Sequence, residues 1–558
     1  MKKFHLGLAL LSVTAVCSAS AGVDWANKKL NLDPKPEEKK ASYTLGDGRT
    51  VLRFCHEADP AWAAETPKGF LSGLENPKRR DHFTIVLPKD ADAANAPAGR
   101  ALVVILHGRN GGRFMNASDS CVGGVADPNT PFYAPPDAYA LGCDSLANLL
   151  SDIWYGSMPP PKTIYSDSPG NLAFAAHGDS AGDYKALGMT LMTGNWAACD
   201  YTHWGETRYA GLMWESNIFG DLFDGPRKGR FPHYRSAPEM TCVKWNRAHE
   251  NAVMKRILDE IEWTVRKYGI DRNRIYVTGN SMGGQAALAL GLTHGEVFAA
   301  VNANVPATIW FPVARAGFVD EAGEDIAADR FVAPEADPAV IFDWSGSNDA
   351  WSREHDVLYR NLNRFRFAIT GWWGAYGHCG NVAAARKEND LVCKGMDFFS
   401  IRRDRAYVVF SNADCNDPLP WPEKACSPGR EGEKVAVLNG VELAAGKLER
   451  REGSPAAGQW NAWLKGSVVT DEPGRLEADV WIATEAEIPS AQFKRPAAAK
   501  ADVSFRRLQK FPHARGAKAK WTAGGESGEI ELDGNMPFTV PGVTLTAGGK
   551  TRIVLEAK

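Results

Sequence analysis

Arg274-Ile-Tyr-Val-Thr-Gly-Asn-Ser-Met-Gly-Gly284 is the stretch that decides the fold. Ile275, Tyr276 and Val277 are β-formers, Gly279 and Gly283 bracket Ser281, and the small-residue run from Gly283 to Leu292 can continue as a helix. Strand, sharp turn and helix in that order are the setting of a nucleophile elbow. There the serine takes strained backbone angles, and bulkier flanking residues would collide with the strand and the helix. The letters G-x-S-x-G also arise by chance at ordinary strand-to-helix turns, so the surroundings must decide.

Working upstream, Ala252, Val253, Ile257, Ile261 and Val265 share one helical face, and Tyr268-Gly269 closes that helix. Farther back, Asp81 to Pro88 and Arg100 to Gly108 read as strands; the second is apolar on consecutive positions, which suits a parallel strand covered on both faces. Downstream, Phe298 to Val305, Ala339 to Asp343 and Arg366 to Thr370 are short strands separated by segments that can hold helices. This alternation predicts an α/β-hydrolase domain, a doubly wound sheet, over residues 81–429. An irregular insertion near 109–247, rich in Gly, Pro, Asp and aromatics, interrupts it, with one strand expected near Asn171 to Ala176. Residues 22–80 read as an N-terminal extension with a strand at Thr50 to Phe54. From 430 to 558 the texture changes to short β-type runs such as Lys434 to Leu438, Leu476 to Ile482 and Thr551 to Leu555. Split by Gly and Pro, they predict a sandwich-like all-β accessory domain. No internal repeat is evident.

The first residues, Met1-Lys2-Lys3 followed by an apolar run to Val16 and Ala19-Ser20-Ala21, have the form of a secretory signal cut near Ala21/Gly22. Cys17 invites a lipoprotein reading, but Thr14-Ala15-Val16 matches a lipobox poorly. The expected product is a periplasmic or secreted protein without stable membrane insertion. A chain of 558 residues is too long for one ordinary domain, and a net charge of −3 gives no reason to expect nucleic acid as a partner. Beyond the signal nine cysteines remain, at 55, 121, 143, 199, 242, 379, 393, 415 and 426. Export makes disulfides expected, with at least one thiol left over and no pairing readable. No C-x-x-C or His cluster suggests a metal, and no cofactor is implied. The oligomeric state is not readable.

A serine hydroxyl needs a positioned base, usually a histidine oriented by a carboxylate. In α/β-hydrolases the chain order is serine, acid, histidine, the last two on loops after later strands. Gly346-Ser-Asn-Asp349 and Gly377-His378 fill those places, so the predicted triad is Ser281, Asp349 and His378. Asp343 or Asp356 could replace the acid. His355, in a polar run that looks like a solvated helix start, is the rival base. A second G-x-S-x-G, Gly178 to Gly182, offers Ser180. Choosing it would leave a further strand-turn-helix unit with its own elbow before the acid, so Ser281 is preferred. His107-Gly108-Arg109 follows a central strand, and the backbone N–H groups of Arg109 and Met282 are the expected oxyanion donors.

Leu106-His-Gly108, Asp271 to Gly284, Gly346 to Asp349 and Gly377-His378 resemble the secreted carbohydrate-esterase and poly(hydroxyalkanoate)-depolymerase branch of the α/β-hydrolases, over roughly residues 80–400. The resemblance implies a serine carboxylesterase acting on feruloyl or acetyl esters of polysaccharides, or on aliphatic polyesters. One departure stands out: the cysteine bridge that joins serine and histidine neighbours in tannase-like members cannot form, because Asn280 precedes Ser281 although Cys379 follows His378. Trp344, Trp351, Trp372 and Trp373 lie in the acid and base segments and are candidates to bind a sugar ring or aryl acid, with core packing as the plain alternative. The basic run between Lys494 and Lys520 is either a polymer-docking face or, more simply, a solvated face offset by acidic neighbours. Two other functions stay open: a prolyl-oligopeptidase-type serine peptidase, and a non-catalytic polymer-binding protein.

Overall fold

The computed structural model describes residues 24–36, 41–57, 80–92, 94–106, 133–143, 163–166, 190–193, 252–280, 282–306, 334, 336–349, 352, 355–378, 382–421, 436–438, 441–443, 451, 453–490, 492–532 and 536–558. Eight strands form the body of one large sheet. They are Thr50–Glu57 (β1), Arg80–Val86 (β2), Leu102–Leu106 (β3), Tyr139–Cys143 (β4), Ile275–Asn280 (β5), Ala300–Asn304 (β6), Val340–Gly346 (β7) and Ile369–Gly374 (β8). Their order across the sheet is β1-β2-β4-β3-β5-β6-β7-β8. β2 runs antiparallel to both its neighbours, and every pair from β4 to β8 is parallel. This is an α/β-hydrolase-like sheet. Strands β3, β7 and β8 are buried along their whole length, which explains why apolar residues fill consecutive positions in them, with Asp343 and Ser345 of β7 as buried polar exceptions.

The strand expected near Asn171 to Ala176 lies outside the described residues. Within the insertion the sheet takes Tyr139–Cys143. Tyr139-Ala-Leu-Gly-Cys is short and carries a glycine, so its β signal is weak, and its place comes from pairing with β3 on one side and β2 on the other. The signal segment, Cys17 and most of the insertion also fall outside the described residues. So do the side chains of Cys121, Cys143, Cys199, Cys242, Cys379 and Cys426; Cys393 and Cys415 are free thiols.

Ala252–Tyr268 (α1) buries Ile257, Ile261 and Val265 as the periodicity predicts. Gly269 ends it at φ 61°, and the Ile270 N–H returns to the Val265 carbonyl, a left-handed stop that a side chain would strain. Met282–Thr293 (α2) is apolar almost all round because it is buried almost all round. His355–Arg364 (α3) and Val382–Gly395 (α4) follow β7 and β8.

The later strands are Tyr407–Ser411 (β9), Gly458–Trp460 (β10), Leu464–Glu472 (β11), Arg475–Ile482 (β12), Ala498–Arg506 (β13), Lys518–Ala523 (β14), Glu526–Glu531 (β15), Thr539–Thr546 (β16) and Thr551–Ala557 (β17). They make a three-stranded sheet, β9-β13-β16, and a five-stranded one, β11-β12-β17-β14-β15. In β12, Leu476, Ala478, Val480 and Ile482 alternate inward into a core shared with Val503 and Phe505 of β13. Two strands tie this unit to the hydrolase sheet: β10 pairs with the edge strand β8, and β9, which precedes residue 430, pairs with β13.

Two arginines of the basic run serve the same attachment. Arg506 donates to the carbonyls of Arg366 and Phe365 and pairs with Asp337. Arg507 donates to the carbonyls of Ala299, Phe298, Pro338 and Arg402. Arg495, Lys510 and Lys518 sit against Glu485, Glu472 and Glu531. The plain reading of that run, charge offset by acidic neighbours, therefore describes these residues.

Where α4 meets the β unit, Ser490 donates to the Glu388 carboxylate, and burial pushes this carboxyl up to about 7. Because its pKa is raised on folding, the folded protein holds the proton where the unfolded chain has lost it, and stability must fall as pH rises from about 4.5 to about 7. Denaturant unfolding at pH 5 and pH 8 is expected to show this loss in the wild type and a smaller loss in Glu388→Gln. Equal losses in the two proteins would contradict it.

Candidate active site

In a parallel sheet all loops leaving the strand C-termini open on one edge, and the strands that precede Arg109, Ser281, Asp349 and His378 all end there. β5 ends at Asn280 and α2 begins at Met282, so Ser281 alone separates strand from helix; Ser281 itself lies outside the described residues. The tightness of this junction is visible in its glycines. A Cβ on Gly279 would stand 2.2 Å from the Gly283 carbonyl oxygen, and one on Gly284 would stand 2.8 Å from the Asn304 carbonyl oxygen. Gly279 and Gly284 thus let helix, strand and neighbouring strand meet. Ser180 lies outside the described residues; the described strands on either side of it, Thr163–Ser166 and Thr190–Thr193, pair with each other in a separate two-stranded sheet.

The acid and base loops are joined by more than their side chains. β7 and β8 pair through Gly346↔Gly374, and the pairing continues past both strand ends: Ser347 N–H donates to the Gly374 carbonyl and Asn348 N–H to the Tyr376 carbonyl. Glycines are required at both ends, because a Cβ on Gly346 would meet the Tyr376 carbonyl oxygen at 2.2 Å and one on Gly374 the Tyr376 ring at 2.0 Å. The tyrosine fills the space under both loops, and its burial raises its hydroxyl pKa. Asp349 turns back on Gly346, its N–H donating to that carbonyl, and Trp421 donates its indole N–H to the same oxygen.

Out of this frame come the two side chains. His378 Nδ1 and Asp349 Oδ2 are 2.8 Å apart; the carboxylate is fully buried and the imidazole keeps 20 % of its exposure. Ser352 Oγ donates to the same carboxylate oxygen at 3.4 Å. A carboxylate on Nδ1 fixes the tautomer that puts Nε2 at the far side of the ring, where a nucleophile's proton is taken. Of the expected oxyanion donors, Met282 is the first residue of α2, and Arg109, three residues past the end of β3, lies outside the described ones. β3 and β5 are paired through Leu106↔Gly279, so both donors attach to adjacent strand ends.

The tryptophan expectation is corrected at three positions. Trp344, Trp372 and Trp373 are at most 1 % exposed and belong to the packing of β7 and β8. Trp344 and Trp372 are register partners; Trp344 donates to the Asn304 side chain, and Trp373 donates to the Pro455 carbonyl and stacks edgewise on Trp421. A strand buried on both faces has no wet side on which to display an indole. Trp351 lies outside the described residues. The reading of His355 as a solvated helix start is also corrected, because its side chain is fully buried.

Asn304, Tyr376 and Trp421 support the site and were not foreseen. Asn304 is fully buried at the end of β6; its amide donates to the Gly279 carbonyl and to Thr278 Oγ1, and its oxygen accepts the Trp344 indole, bolting the elbow strand to the acid strand. A polar residue closing an apolar strand was the only signal available.

Residues 244–316 match the prolyl oligopeptidase family, a minority of the chain that holds α1, β5, the elbow, α2 and β6. No curated protein matches the chain. Among solved structures, an S-formylglutathione hydrolase from Staphylococcus aureus is 11% identical over 62% of this chain and 97% of its own, with a TM-score of 0.29. A CE1 ferulic acid esterase from Anaeromyces mucronatus is 13% identical over 64% and 92%, with a TM-score of 0.28. An S-formylglutathione hydrolase from Agrobacterium tumefaciens is 13% identical over 62% and 94%, with a TM-score of 0.30.

The elbow's tolerance can be measured directly. Gly279→Ala forces a contact with helix backbone and is expected to cost about 1–3 kcal/mol in urea unfolding. Gly474→Ala, which meets no atom within 4 Å, is expected to change stability by less than about 0.5 kcal/mol. Equal effects would show that the junction is loose. The α/β-hydrolase-like strand order and the match of residues 244–316 to the prolyl oligopeptidase family mark the chain as a serine hydrolase.

Proposed function

We propose that the protein is an exported serine carboxylesterase that works through an acyl-enzyme. One observation carries the proposal: the Asp349–His378 bond lies on the loops after β7 and β8, at the sheet edge to which β5 delivers the elbow. Ser281 Oγ attacks the ester carbonyl while His378 Nε2 takes its proton. The imidazolium formed is stabilised by the buried Asp349 carboxylate. The N–H groups of Met282 and Arg109 receive the charge that develops on the carbonyl oxygen, a contribution of about 3 kcal/mol for each donor. His378 then returns the proton to the leaving alcohol. Water, activated by the same imidazole, releases the acid. None of these steps calls on a cofactor.

The substrate class follows from the sequence resemblance: feruloyl or acetyl esters of polysaccharides, with aliphatic polyesters as the neighbouring option. The burial of Trp344, Trp372 and Trp373 leaves Trp351 as the tryptophan candidate for recognising such a substrate. A peptidase reading also has a specific observation behind it, the match of residues 244–316 to the prolyl oligopeptidase family. Esters are preferred because the wider motif set, from Leu106 to His378, resembles esterases.

Purified protein is expected to hydrolyse a short-chain aryl ester and feruloylated or acetylated xylan. Ser281→Ala should lower the rate at least about 10³-fold, and Ser180→Ala should leave it unchanged. Faster turnover of prolyl amides than of esters would favour the peptidase reading. A wild-type rate in Ser281→Ala would remove the mechanism.

A further inference from the structure

The molecule holds a second serine–histidine–carboxylate set. Ser345 Oγ and His355 Nε2 are 2.8 Å apart, Asp343 Oδ2 is 3.4 Å from each of those two atoms, and Tyr359 donates its hydroxyl to the same oxygen at 2.7 Å. All four residues are fully buried. Sealed from substrate, this set cannot be a catalytic centre, so access and not residue type separates it from Asp349 and His378.

Its place in the chain gives it another task. Asp343 and Ser345 are in the second half of β7, before the acid loop, and His355 and Tyr359 are on the first turns of α3 just after it. The cluster therefore staples the two ends of the segment that carries Asp349. Trp421 completes the closure: its ring lies 4.8 Å from that of His355, and its N–H reaches the Gly346 carbonyl that also receives the Asp349 N–H. With Asp343 ionised, the donors line up in one direction, from His355 Nε2–H to Ser345 Oγ, from Ser345 to Asp343, and from Tyr359 to Asp343. Burial and the Asp343 charge both push the Tyr359 hydroxyl pKa far up, which keeps it a donor. Breaking one bond of a buried network leaves its other members without that partner, so these bonds favour one geometry over others.

We propose that His355 is a positioning residue for the hydrolytic reaction: by donating from Nε2 to Ser345 and Asp343 it fixes the start of α3 on β7, and so fixes Asp349 against His378. The inference rests on the proposed mechanism in taking Asp349 as the residue that orients the base. Loss of the staple leaves the substrate edge in place but frees the carboxylate to drift. A displacement of about 1 Å at a catalytic group costs up to about 100-fold in rate.

The test uses the full-length protein, an aryl acetate ester and four variants. His355→Leu removes the donor, His355→Gln keeps an amide donor near the Nε2 position, His355→Asn places one too short to reach, and Asp349→Asn removes the oriented charge. His355→Leu is expected to lower kcat between about 10- and 100-fold with KM within about two-fold. Its acid limb of kcat/KM against pH should move to lower pH, because an imidazolium less well held by Asp349 loses its proton more readily. His355→Gln should regain most of the rate and the wild-type limb, and His355→Asn should not. If His355→Leu does not fold, the Gln and Asn pair carries the comparison. Wild-type kcat and pH profile in a folded His355→Leu or His355→Asn, or equal impairment in the Gln and Asn variants, would overturn the positioning role. A wild-type rate in Asp349→Asn would instead overturn the mechanism on which it rests, and the inference with it.

Discussion

A carboxylate with no solvent exposure is the constraint around which this molecule's active edge is built. A buried carboxylate needs hydrogen-bond donors, and among the described residues those of Asp349 include His378 Nδ1 and, at longer range, Ser352 Oγ. Holding them there requires two loops to stay in register beyond the ends of their strands. The register is held by backbone bonds from Ser347 and Asn348, by glycines at 346 and 374 that admit Tyr376, and by Trp421 on the Gly346 carbonyl. The hydrogen bond between acid and base is thus the visible end of a continuous piece of sheet.

The same logic separates two sets of like residues. Ser345, His355 and Asp343 reproduce a triad's letters in a sealed core, while Asp349 and His378 sit where strand ends open and the imidazole keeps partial exposure. The C-terminal unit meets the sheet elsewhere. Arg507 binds carbonyls at the starts of β6 and β7, and β10 adds to the edge of β8, so the anchoring contacts lie at the opposite edge or along its flank. Stability of the fold and access to the site can therefore vary separately.

Much of this was legible in the residues. The strands around the elbow and after it were placed to within a few positions, because consecutive apolar runs bounded by glycine report parallel strands directly. Asp349 and His378, which the structure brings to 2.8 Å, were readable as a pair because each follows a strand of the sheet in turn. The β runs at 476–482 and 551–555 were readable from period-2 alternation. What escaped depends on partners far away in sequence: Tyr139–Cys143 is a strand only because β2 and β3 flank it, and Asn304 matters because Gly279 and Trp344 lie on either side. The tryptophans misled for a related reason. Their proximity in sequence to the acid and base is real, but alternation along β8 sends Trp372 and Trp373 into opposite packed faces. Aromatic content near a site does not specify which side of the sheet it serves.

The central claim is that the oriented imidazole of His378 serves Ser281 and no other serine. The most direct measurement is mass-spectrometric mapping of the protein after reaction with a fluorophosphonate. The expected result is a single covalent adduct on the peptide containing Ser281, abolished in His378→Ala. An adduct on Ser180, or none on an otherwise folded wild-type protein, would contradict the assignment.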